Sequence, residues 1–231
     1  MPGARSATLR EWRDLAPEVR HFEFETADDM PFEPGQFISL TEPLGGHAIT
    51  RAYSLASAPG GRRFALCLNR VNDGHMSPHL FALRESDPIS FSGPLGAFIV
   101  RRPERDRIYV ATGTGIAPFR SMLAHQFAVG DPASVTLIFG VRYPETILYR
   151  DELERWEAAR PNFTFRPTLS RPPVEWTGLR GHVQEHVLAA VGDRRDLDVY
   201  ICGMKAMVDD LRARLKAAGL DRRQIVTEKY D

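Results

Sequence analysis

The alternation of strands and helices after Arg107 is the feature that constrains the fold most. Four runs have the apolar composition of buried strands: RIYVAT, SVTLIFGV, NFTFRPTL and LDVYICG. Helical patterns follow them: APFRSMLAHQFAV, YRDELERWEAAR, HVQEHVLAAV and KAMVDDLRARLKAAG. Strands that alternate with helices predict a parallel sheet covered by helices on both faces. We expect a five-stranded parallel sheet in this half of the chain.

Up to about Arg102 the chain has a different pattern of predicted secondary structure. Short strands broken by glycine and proline succeed one another: VRHFEFE, GQFISL, RAYSLAS, RRFALCLNRV and DPISFSGPLG, with one short helix, MSPHLFAL, among them. Such a series is typical of an antiparallel barrel or sandwich. The charged, proline-broken stretch RRPERD predicts the boundary, which gives domains at residues 1–102 and 103–231.

Composition argues against several classes of protein. The formal net charge is zero, so nothing points to a nucleic acid or an anionic membrane as partner. No apolar run is long enough to span a bilayer, and no apolar segment follows the basic residues of the N-terminus as in a signal peptide. Two cysteines are too few for a four-cysteine iron–sulfur cluster or a disulfide framework, which favours the cytoplasm. The histidine spacing predicts no metal site.

The stretch RIYVATGTGIAPFRSML is typical of a strand, a glycine loop and a helix. Gly113 and Gly115 allow backbone N–H groups to approach a phosphate, and Pro118 suits a first helical turn. The N-terminus of a helix also favours an anion. A Gly-x-Gly pair is ordinary turn chemistry too, and Pro118 stands where the dinucleotide fingerprint has its third glycine. The position after the first strand of an α/β half nevertheless favours a nucleotide site.

The stretch RAYSLAS has an unusual pattern for a strand. One face would carry Arg51 and Tyr53, and the other face would carry only small side chains. A core strand would carry branched apolar residues there. A solvated strand would tolerate the pattern, so the stretch alone leaves a ligand-binding strand and a solvated edge open.

Four motifs stand in order along the chain: RAYSLAS, GHMSPHL, GTGIAP and YICGMKAM, with TEKYD at the C-terminus. This series resembles the ferredoxin–NADP reductase superfamily, most closely its compact bacterial members and the reductase parts of oxygenase systems. The resemblance covers nearly the whole chain from about Leu9. It implies an antiparallel Greek-key β-barrel that binds FAD, then an α/β domain that binds NAD(P), whose C-terminal tail returns to the flavin.

The resemblance also implies roles for individual residues. Tyr53 would stack on the isoalloxazine ring, Ser54 would bind near flavin N5, and Arg51 would bind the pyrophosphate. The cofactor-binding residues implied in the first domain are Arg51, Ala52, Tyr53, Ser54, Asn69, Val71, Gly74, His75, Met76 and Ser77. Those in the second domain are Thr112, Gly113, Gly115, Ile116, Pro118, Ser170, Arg171, Arg180, Gly203 and Met204.

Four residues are implied to be catalytic: Ser54, Cys202, Glu228 and Tyr230. Cys202 would lie beside the nicotinamide. The EKY segment resembles the Glu-x-Tyr ending of plant-type reductases, whose tyrosine covers the flavin and whose glutamate lies near the reacting atoms. Here Asp231 follows, and the terminal aromatic with which several compact bacterial relatives stack on the FAD adenine is absent.

The implied function is a FAD-dependent oxidoreductase that passes electrons from NADPH through the flavin to a separate protein acceptor. Ferredoxin or flavodoxin is the first candidate acceptor, and an oxygenase component is the second. NADH in place of NADPH and FMN in place of FAD remain open. The alternatives are an NADH-dependent reductase component of an oxygenase system and a non-catalytic flavin- or nucleotide-binding regulatory subunit. We expect a monomer.

Overall fold

The computed structural model describes residues 4–230; residues 1–3 and 231, which the predicted domain ranges include, lie outside it. Contacts divide the chain into two units. The first unit extends to Val100 and also contains the helix α2 (Ala117–Val129). The second unit contains Arg101–Ile116 and the chain from Gly130 onwards. The grouping of α2 with the first unit has no counterpart in the sequence patterns, and the 102/103 boundary stays a prediction.

An antiparallel barrel forms most of the first unit. Its strands are β1 (Arg5–Ala16), β2 (Val19–Thr26), β3 (Phe37–Leu44), β4 (His47–Ser54), β5 (Arg63–Asn69) and β6 (Pro88–Leu95), and the helix α1 is Met76–Ala82. The strand order is β4-β3-β6-β1-β2-β5, and a bridge between Leu55 and Leu66 closes the sheet on itself. Because β6 inserts between β3 and β1, the order is that of a Greek key. The predicted antiparallel fold is confirmed.

The barrel is filled by alternate residues of its strands. Aromatic rings dominate this core, with Phe22 and Phe24 buried from β2, Phe64 from β5 and Phe91 from β6. The strand β1 was not predicted, although it is the longest strand of the barrel. Only Ala7 and Leu9 of β1 are buried, so the strand lacks a sustained apolar alternation.

The helix α2 packs within the barrel unit through contacts of Phe119, Met122 and Arg120. The ring of Phe119 meets Phe98 edge-on, with centroids 5.6 Å apart. The side chain of Met122 lies over Gly35, where an added Cβ would come within 2.5 Å of the Met122 methyl carbon and still closer to the Phe98 carbonyl. Gly35 also has a φ of 100°, which favours glycine. The Arg120 guanidinium donates to the Ala56 carbonyl at 2.6 Å.

A parallel sheet forms the second unit. Its strands are β7 (Asp106–Thr112), β8 (Val135–Val141), β9 (Phe163–Leu169), β10 (Leu179–Arg180), β11 (Leu197–Met204) and β12 (Ile225–Tyr230), in the order β10-β9-β8-β7-β11-β12. The helices are α3 (Arg150–Ala159), α4 (Val183–Val191) and α5 (Lys205–Ala217). The parallel α/β architecture is confirmed, with six strands instead of five. The two-residue β10 is too short for a periodic pattern, and β12 carries only two apolar residues before Thr227.

Ion pairs stabilise the amino-terminal edge of this sheet. Arg102 Nε donates to the Asp198 carboxylate at 2.8 Å, and Arg105 lies 3.3 Å from the same carboxylate. Burial raises the pKa of Asp198, and the two arginines oppose that shift. The charged stretch RRPERD is thus tied to β11 by its arginines.

Candidate functional site

The barrel strand β4 presents the first group of predicted site residues. Its hairpin with β3 turns at Gly45 and Gly46, whose φ values of 60° and 81° suit a two-residue turn. Arg51 and Ala52 are exposed, and Arg51 Nη1 donates to the Thr50 carbonyl at 2.8 Å. The strand therefore holds a cation in solvent near its carboxyl end.

Tyr53 and Ser54 lie where β4 meets the barrel core. Tyr53 is half-buried against that core, and burial raises the pKa of its phenol to about 12, opposed by the charge of Arg51. Ser54 is buried. The strand thus offers a neutral aromatic ring, partly open to solvent, beside an exposed guanidinium. This chemistry fits a flat cofactor with an anionic arm.

The segment Asn69–Ser77 carries the other predicted residues of the barrel. Asn69 and Val71 are exposed. The Ser77 hydroxyl accepts a hydrogen bond from the Val71 N–H at 2.9 Å, so this side chain shapes the loop itself. An added Cβ at Gly74 would lie 3.1 Å from the Val71 carbonyl, which makes the turn tight.

His75 and Met76, at the start of α1, differ in burial. His75 precedes the first turn of α1, whose N-cap has no side-chain hydrogen bond. The Met76 side chain is buried in the barrel core, which leaves its backbone for the predicted cofactor contact. We name Arg51–Ser54 together with Asn69–Ser77 the barrel site.

In the second unit, the glycine loop Gly113–Ile116 follows β7 and lies against the end of β11. An added Cβ at Gly115 would come within 2.5 Å of the Cys202 carbonyl, and one at Gly203 within 2.1 Å of the Thr112 hydroxyl. Gly203 also has a φ of 151°. Side chains are therefore excluded at both positions: Gly115 lies against the backbone of β11, and Gly203 lies against the Thr112 side chain.

The loop itself leaves room for a ligand. Gly113 has a φ of 54°, and an added Cβ would meet nothing within 4 Å. The Thr112 Oγ1 is buried and has no hydrogen-bond partner among residues 4–230. The Ile116 side chain is buried, which leaves its backbone for the predicted contact with a coenzyme. A phosphate-bearing ligand fits this open, glycine-lined edge.

Three of the four predicted catalytic residues meet at the same edge. The parallel register pairs Cys202 with Glu228 and Met204 with Tyr230. The Cys202 thiol is fully buried and lies 3.9 Å from Glu228 Oε1. Burial raises the pKa of this thiol well above its usual value, the Glu228 charge adds to the shift, and a hydrogen bond with Tyr230 opposes it. Cys202 is therefore a neutral thiol. Glu228 and Tyr230 belong to the strand β12, which is paired with the strand of Cys202.

The fourth predicted catalytic residue, Ser54, belongs to the barrel unit. Met204, at the end of β11, is largely exposed. We name Thr112–Ile116 and Cys202–Met204, with Glu228 and Tyr230, the sheet-edge site. Pro118, also predicted to bind cofactor, is buried in α2.

The loop after β9 carries the predicted phosphate-binding pair. The Arg171 N–H donates to the Arg142 carbonyl at 3.0 Å, and its guanidinium donates to the Tyr143 hydroxyl at 3.4 Å. Ser170 is half-exposed and Arg171 is exposed. The sequence analysis missed Arg142 and Tyr143, which follow β8 and lie beside this pair only because β8 and β9 are neighbours.

Arg180 has a different environment from Arg171. Its guanidinium donates to the carbonyls of Pro173 and Val174, at 3.2 and 3.0 Å, and to that of Trp176. Arg180 thereby holds the loop after β9 in shape. Its predicted contact with a coenzyme phosphate stays a prediction and competes with these bonds.

Residues 4–230 contain no cluster of three or more metal-ligating side chains, and the two buried cysteines of this part of the chain form no disulfide bond. None of the helices in this part of the chain is long and apolar enough to cross a membrane.

Comparisons with known proteins find relatives of both halves of the chain. A family model described as an oxidoreductase FAD-binding domain matches residues 6–99, and one described as an oxidoreductase NAD-binding domain matches residues 109–213. Ferredoxin–NADP reductase B of Sorangium cellulosum is 39% identical over an alignment of 237 positions that covers 97% of each protein. The chain belongs to the ferredoxin–NADP reductase superfamily. The family resemblance predicted from the motifs is thus confirmed.

Two further similar proteins are longer than this chain. A toluate 1,2-dioxygenase electron transfer component of Pseudomonas putida is 30% identical, over 97% of this chain and 67% of that protein. The crystal structure of an Amycolatopsis cytochrome P450 reductase has a TM-score of 0.89 at 27% identity, over 99% of this chain and 71% of that one. This chain therefore corresponds to about two thirds of each of those proteins.

Proposed function

We propose that this chain is a FAD-dependent oxidoreductase that takes electrons from NADPH and passes them to a separate protein acceptor, as a ferredoxin–NADP reductase does. One observation carries the proposal: a protein of that name is 39% identical across 97% of both chains. The 231 residues hold two cysteines, too few for a four-cysteine iron–sulfur cluster. The electrons therefore leave to a group outside these residues, for which ferredoxin, flavodoxin or an oxygenase component is suited.

The barrel site supplies the residues that hold the flavin. The Tyr53 ring offers a flat surface for stacking, and the exposed Arg51 guanidinium offers charge-assisted hydrogen bonds to the pyrophosphate. The buried Ser54 hydroxyl would bind near the reacting nitrogen. Bound FAD would supply the redox chemistry, which joins two-electron hydride acceptance to one-electron release.

The sheet-edge site supplies the residues that hold the nicotinamide coenzyme. The glycine loop receives the phosphates, and the unpartnered Thr112 hydroxyl is available as a donor. Cys202 is a neutral, buried thiol, so its contribution is packing against the nicotinamide and not nucleophilic attack. Glu228 and Tyr230 flank it on the next strand.

The loop after β9 supports a preference for NADPH. Ser170 and Arg171 form the predicted contact with the 2′-phosphate, and the exposed Arg142 adds a second cation beside Arg171. Guanidinium groups suit phosphates because they offer several donors in a fixed plane. The Tyr143 hydroxyl accepts a hydrogen bond from the Arg171 guanidinium at 3.4 Å and so restrains this exposed side chain.

The decisive experiment begins with the purified protein and its extracted cofactor. We expect a yellow protein with one non-covalent FAD per chain, which NADPH reduces under anaerobic conditions faster than NADH does. A [2Fe–2S] ferredoxin and a flavodoxin are then tested as acceptors. Release of FMN, or no flavin after reconstitution, would contradict the assignment of the barrel site; bound FAD that neither coenzyme reduces would indicate a regulatory subunit.

A second candidate function is the NADH-dependent reductase of an oxygenase system. The similarity to the toluate 1,2-dioxygenase electron transfer component supports it. Faster reduction by NADH than by NADPH, with electron transfer to an oxygenase component but not to ferredoxin, would favour this candidate. The predicted cytoplasmic location belongs to the proposal in both cases.

A further inference from the structure

The barrel strand β2 carries a cation on the side that faces the barrel core. Arg20 lies two residues before Phe22, so the two side chains point to the same side of the strand. Phe22 is fully buried in the barrel core, and the Arg20 side chain is only 12% exposed. Removing a guanidinium from water costs free energy unless its donors are bound. The groups that bind Arg20 therefore indicate what this cation does.

The Arg20 guanidinium is bound both at its edge and at its face. Its Nε donates to the carboxylate of Asp14, its cross-strand partner on β1, at 2.8 Å. Its Nη1 donates to the Phe81 carbonyl of α1 at 3.2 Å. The guanidinium carbon lies 3.6 Å from the centroid of the Trp12 ring and 4.6 Å from that of the Phe81 ring, which makes two cation–π contacts. One side chain thus connects β1, β2 and α1.

The contact with Phe81 holds the last turn of α1. The last carbonyls of a helix have no partner within the helix, and a cation is favoured beside them. The helix directly continues the loop of the barrel site, and the Ser77 hydroxyl accepts a hydrogen bond from the Val71 N–H at 2.9 Å. Loop and helix are therefore coupled, and Arg20 restrains both by holding the end of the helix.

The residues just before Arg20 hold the start of the same segment. Val19 pairs with Asn69 across β2 and β5, and the Arg70 N–H donates to the Glu18 carbonyl at 2.7 Å. The turn before β2 and the first two residues of that strand therefore hold both ends of the segment formed by the loop and α1.

We propose that Arg20 is a positioning residue for the flavin. It fixes the last turn of α1 and thereby the place of the loop and first helical turn that the barrel site uses, Asn69–Ser77. This inference rests on the proposed function, because it assigns FAD to the barrel site. The helix keeps other anchors, since Met76 and Leu80 are buried in the barrel core. Removing the guanidinium should therefore loosen the loop without unfolding the barrel.

A loosened loop binds its ligand less tightly, because ordering the loop then consumes part of the binding free energy. Loss of an entire charge-assisted hydrogen bond to the ligand lowers affinity roughly ten- to hundredfold. Arg20→Met leaves the contacting residues in place, so we expect the lower end of that range, a dissociation constant of FAD raised about tenfold. Arg20→Lys should raise it about threefold, since lysine keeps the charge beside Asp14 but lacks the planar fork of donors.

The experiment is a fluorescence titration of the flavin-free proteins with FAD, for wild type, Arg20→Met, Arg20→Lys and the control Arg10→Met. Arg10 also connects β1 and β2, since its Nε donates to the Glu25 carboxylate at 2.7 Å. The control should bind FAD like the wild type. Denaturant titration of the same proteins measures the free energy of unfolding. A fall in stability of Arg20→Met with unchanged FAD affinity would show a merely structural role and would overturn the inference.

A second measurement follows the loop itself. In hydrogen–deuterium exchange of the flavin-free protein, Arg20→Met should increase exchange in residues 70–83, and Arg10→Met should not. Unchanged exchange in this segment, or a dissociation constant of FAD within about twofold of wild type, would contradict the role of Arg20. If Arg20→Met does not fold, the same limit applied to Arg20→Lys decides. Failure of the wild type to bind FAD would instead overturn the proposed function.

Discussion

The barrel site and the sheet-edge site present a ligand with opposite kinds of surface. On β4 the contacts are side chains: the Arg51 guanidinium is exposed and the Tyr53 ring is half-buried. At the sheet edge the contacts are mostly backbone, since Gly115 and Gly203 lie where a Cβ would collide with the neighbouring strand end. The barrel site should therefore lose affinity for its ligand when a contacting side chain is removed. The sheet-edge site should lose affinity for its ligand when a side chain is added at one of its glycines.

The largest effect is expected from Gly115→Ala. The new methyl group would lie 2.5 Å from the Cys202 carbonyl, and backbone cannot give way as a flexible side chain can. We expect a loss of about 1–3 kcal/mol in the free energy of unfolding. Flavin reduction by NADPH should fall by on the order of a hundredfold, since the displaced loop misplaces the coenzyme. Denaturant titration and stopped-flow measure the two quantities, and the bound FAD should be retained.

The control for Gly115→Ala is Gly130→Ala. Gly130 has a φ of 69°, but an added Cβ would meet nothing within 4 Å. Only backbone strain of about 1–2 kcal/mol is expected, with flavin reduction unchanged. Equal rates in the two variants would show that the close approach at the sheet edge is not needed.

The barrel site is tested by Arg51→Ala. Loss of a charge-assisted hydrogen bond to the pyrophosphate should raise the dissociation constant of FAD roughly ten- to hundredfold. Fluorescence titration of the flavin-free protein measures it. Arg63→Ala removes a similar exposed arginine from the barrel, near Glu25, and should leave FAD binding unchanged. If both variants bind FAD like the wild type, the barrel site does not bind the pyrophosphate through Arg51.

Coenzyme preference is tested by Arg171→Ala. Removing this guanidinium should weaken NADPH binding roughly tenfold and leave NADH binding nearly unchanged, because only NADPH carries the 2′-phosphate. Difference absorbance titration with each coenzyme measures both constants. Arg150→Ala, which removes an exposed arginine paired with Glu154, is the control. Equal losses for both coenzymes would remove the specificity assigned to Arg171.

A smaller effect is expected from Tyr230→Ser. Cys202 is fully buried and hydrogen-bonded with Tyr230, so a nicotinamide that packs on Cys202 has to displace this phenol. NADPH has extra binding energy from its 2′-phosphate to drive the displacement. The variant should therefore improve NADH turnover a few-fold more than NADPH turnover. Steady-state kinetics with both coenzymes provides the measurement, and an unchanged NADH/NADPH ratio would leave Tyr230 without a part in selection.

The smallest effect concerns the pH dependence of stability. Burial raises the pKa of the Cys202 thiol, so the folded chain holds this proton more tightly than the unfolded chain does. The corresponding stabilisation is present below the ordinary thiol pKa of about 8.5 and is lost as the pH rises above it. We expect no reaction of Cys202 with iodoacetamide at pH 8 in the folded protein and complete reaction in guanidinium chloride. Rapid alkylation of Cys202 in the folded state would contradict its burial.

The sequence patterns predicted the helices well and the strands unevenly. The predicted helix APFRSMLAHQFAV coincides with α2, and the other helical patterns of this half agree with α3, α4 and α5 to within about two residues. The strand β1 was missed because its residues beyond Leu9 are exposed or half-exposed and show no apolar alternation. The cofactor motifs were found because their glycine and proline residues mark turns and helix starts in the sequence.

Side-chain partners could not be predicted in the same way. Met76 lies in a motif, yet its side chain fills the barrel core. Arg180 lies in a basic loop, yet its guanidinium binds carbonyls of that loop. Arg142 and Tyr143 reach Arg171 across two strands that are about thirty residues apart in sequence. In each case the partner is remote in sequence or is a backbone carbonyl, and neither leaves a periodic signal.

The sequence by itself determined the architecture and the two kinds of binding motif, because periodicity, glycine and proline act locally on the backbone. Tertiary structure decided what those motifs contact. It placed Cys202 beside Glu228 through the β11–β12 register, and it grouped α2 with the barrel through Phe119, Met122 and Arg120. The physical reason is that strand pairing and helix docking join residues far apart in the chain, at contacts whose energy depends on the complete fold.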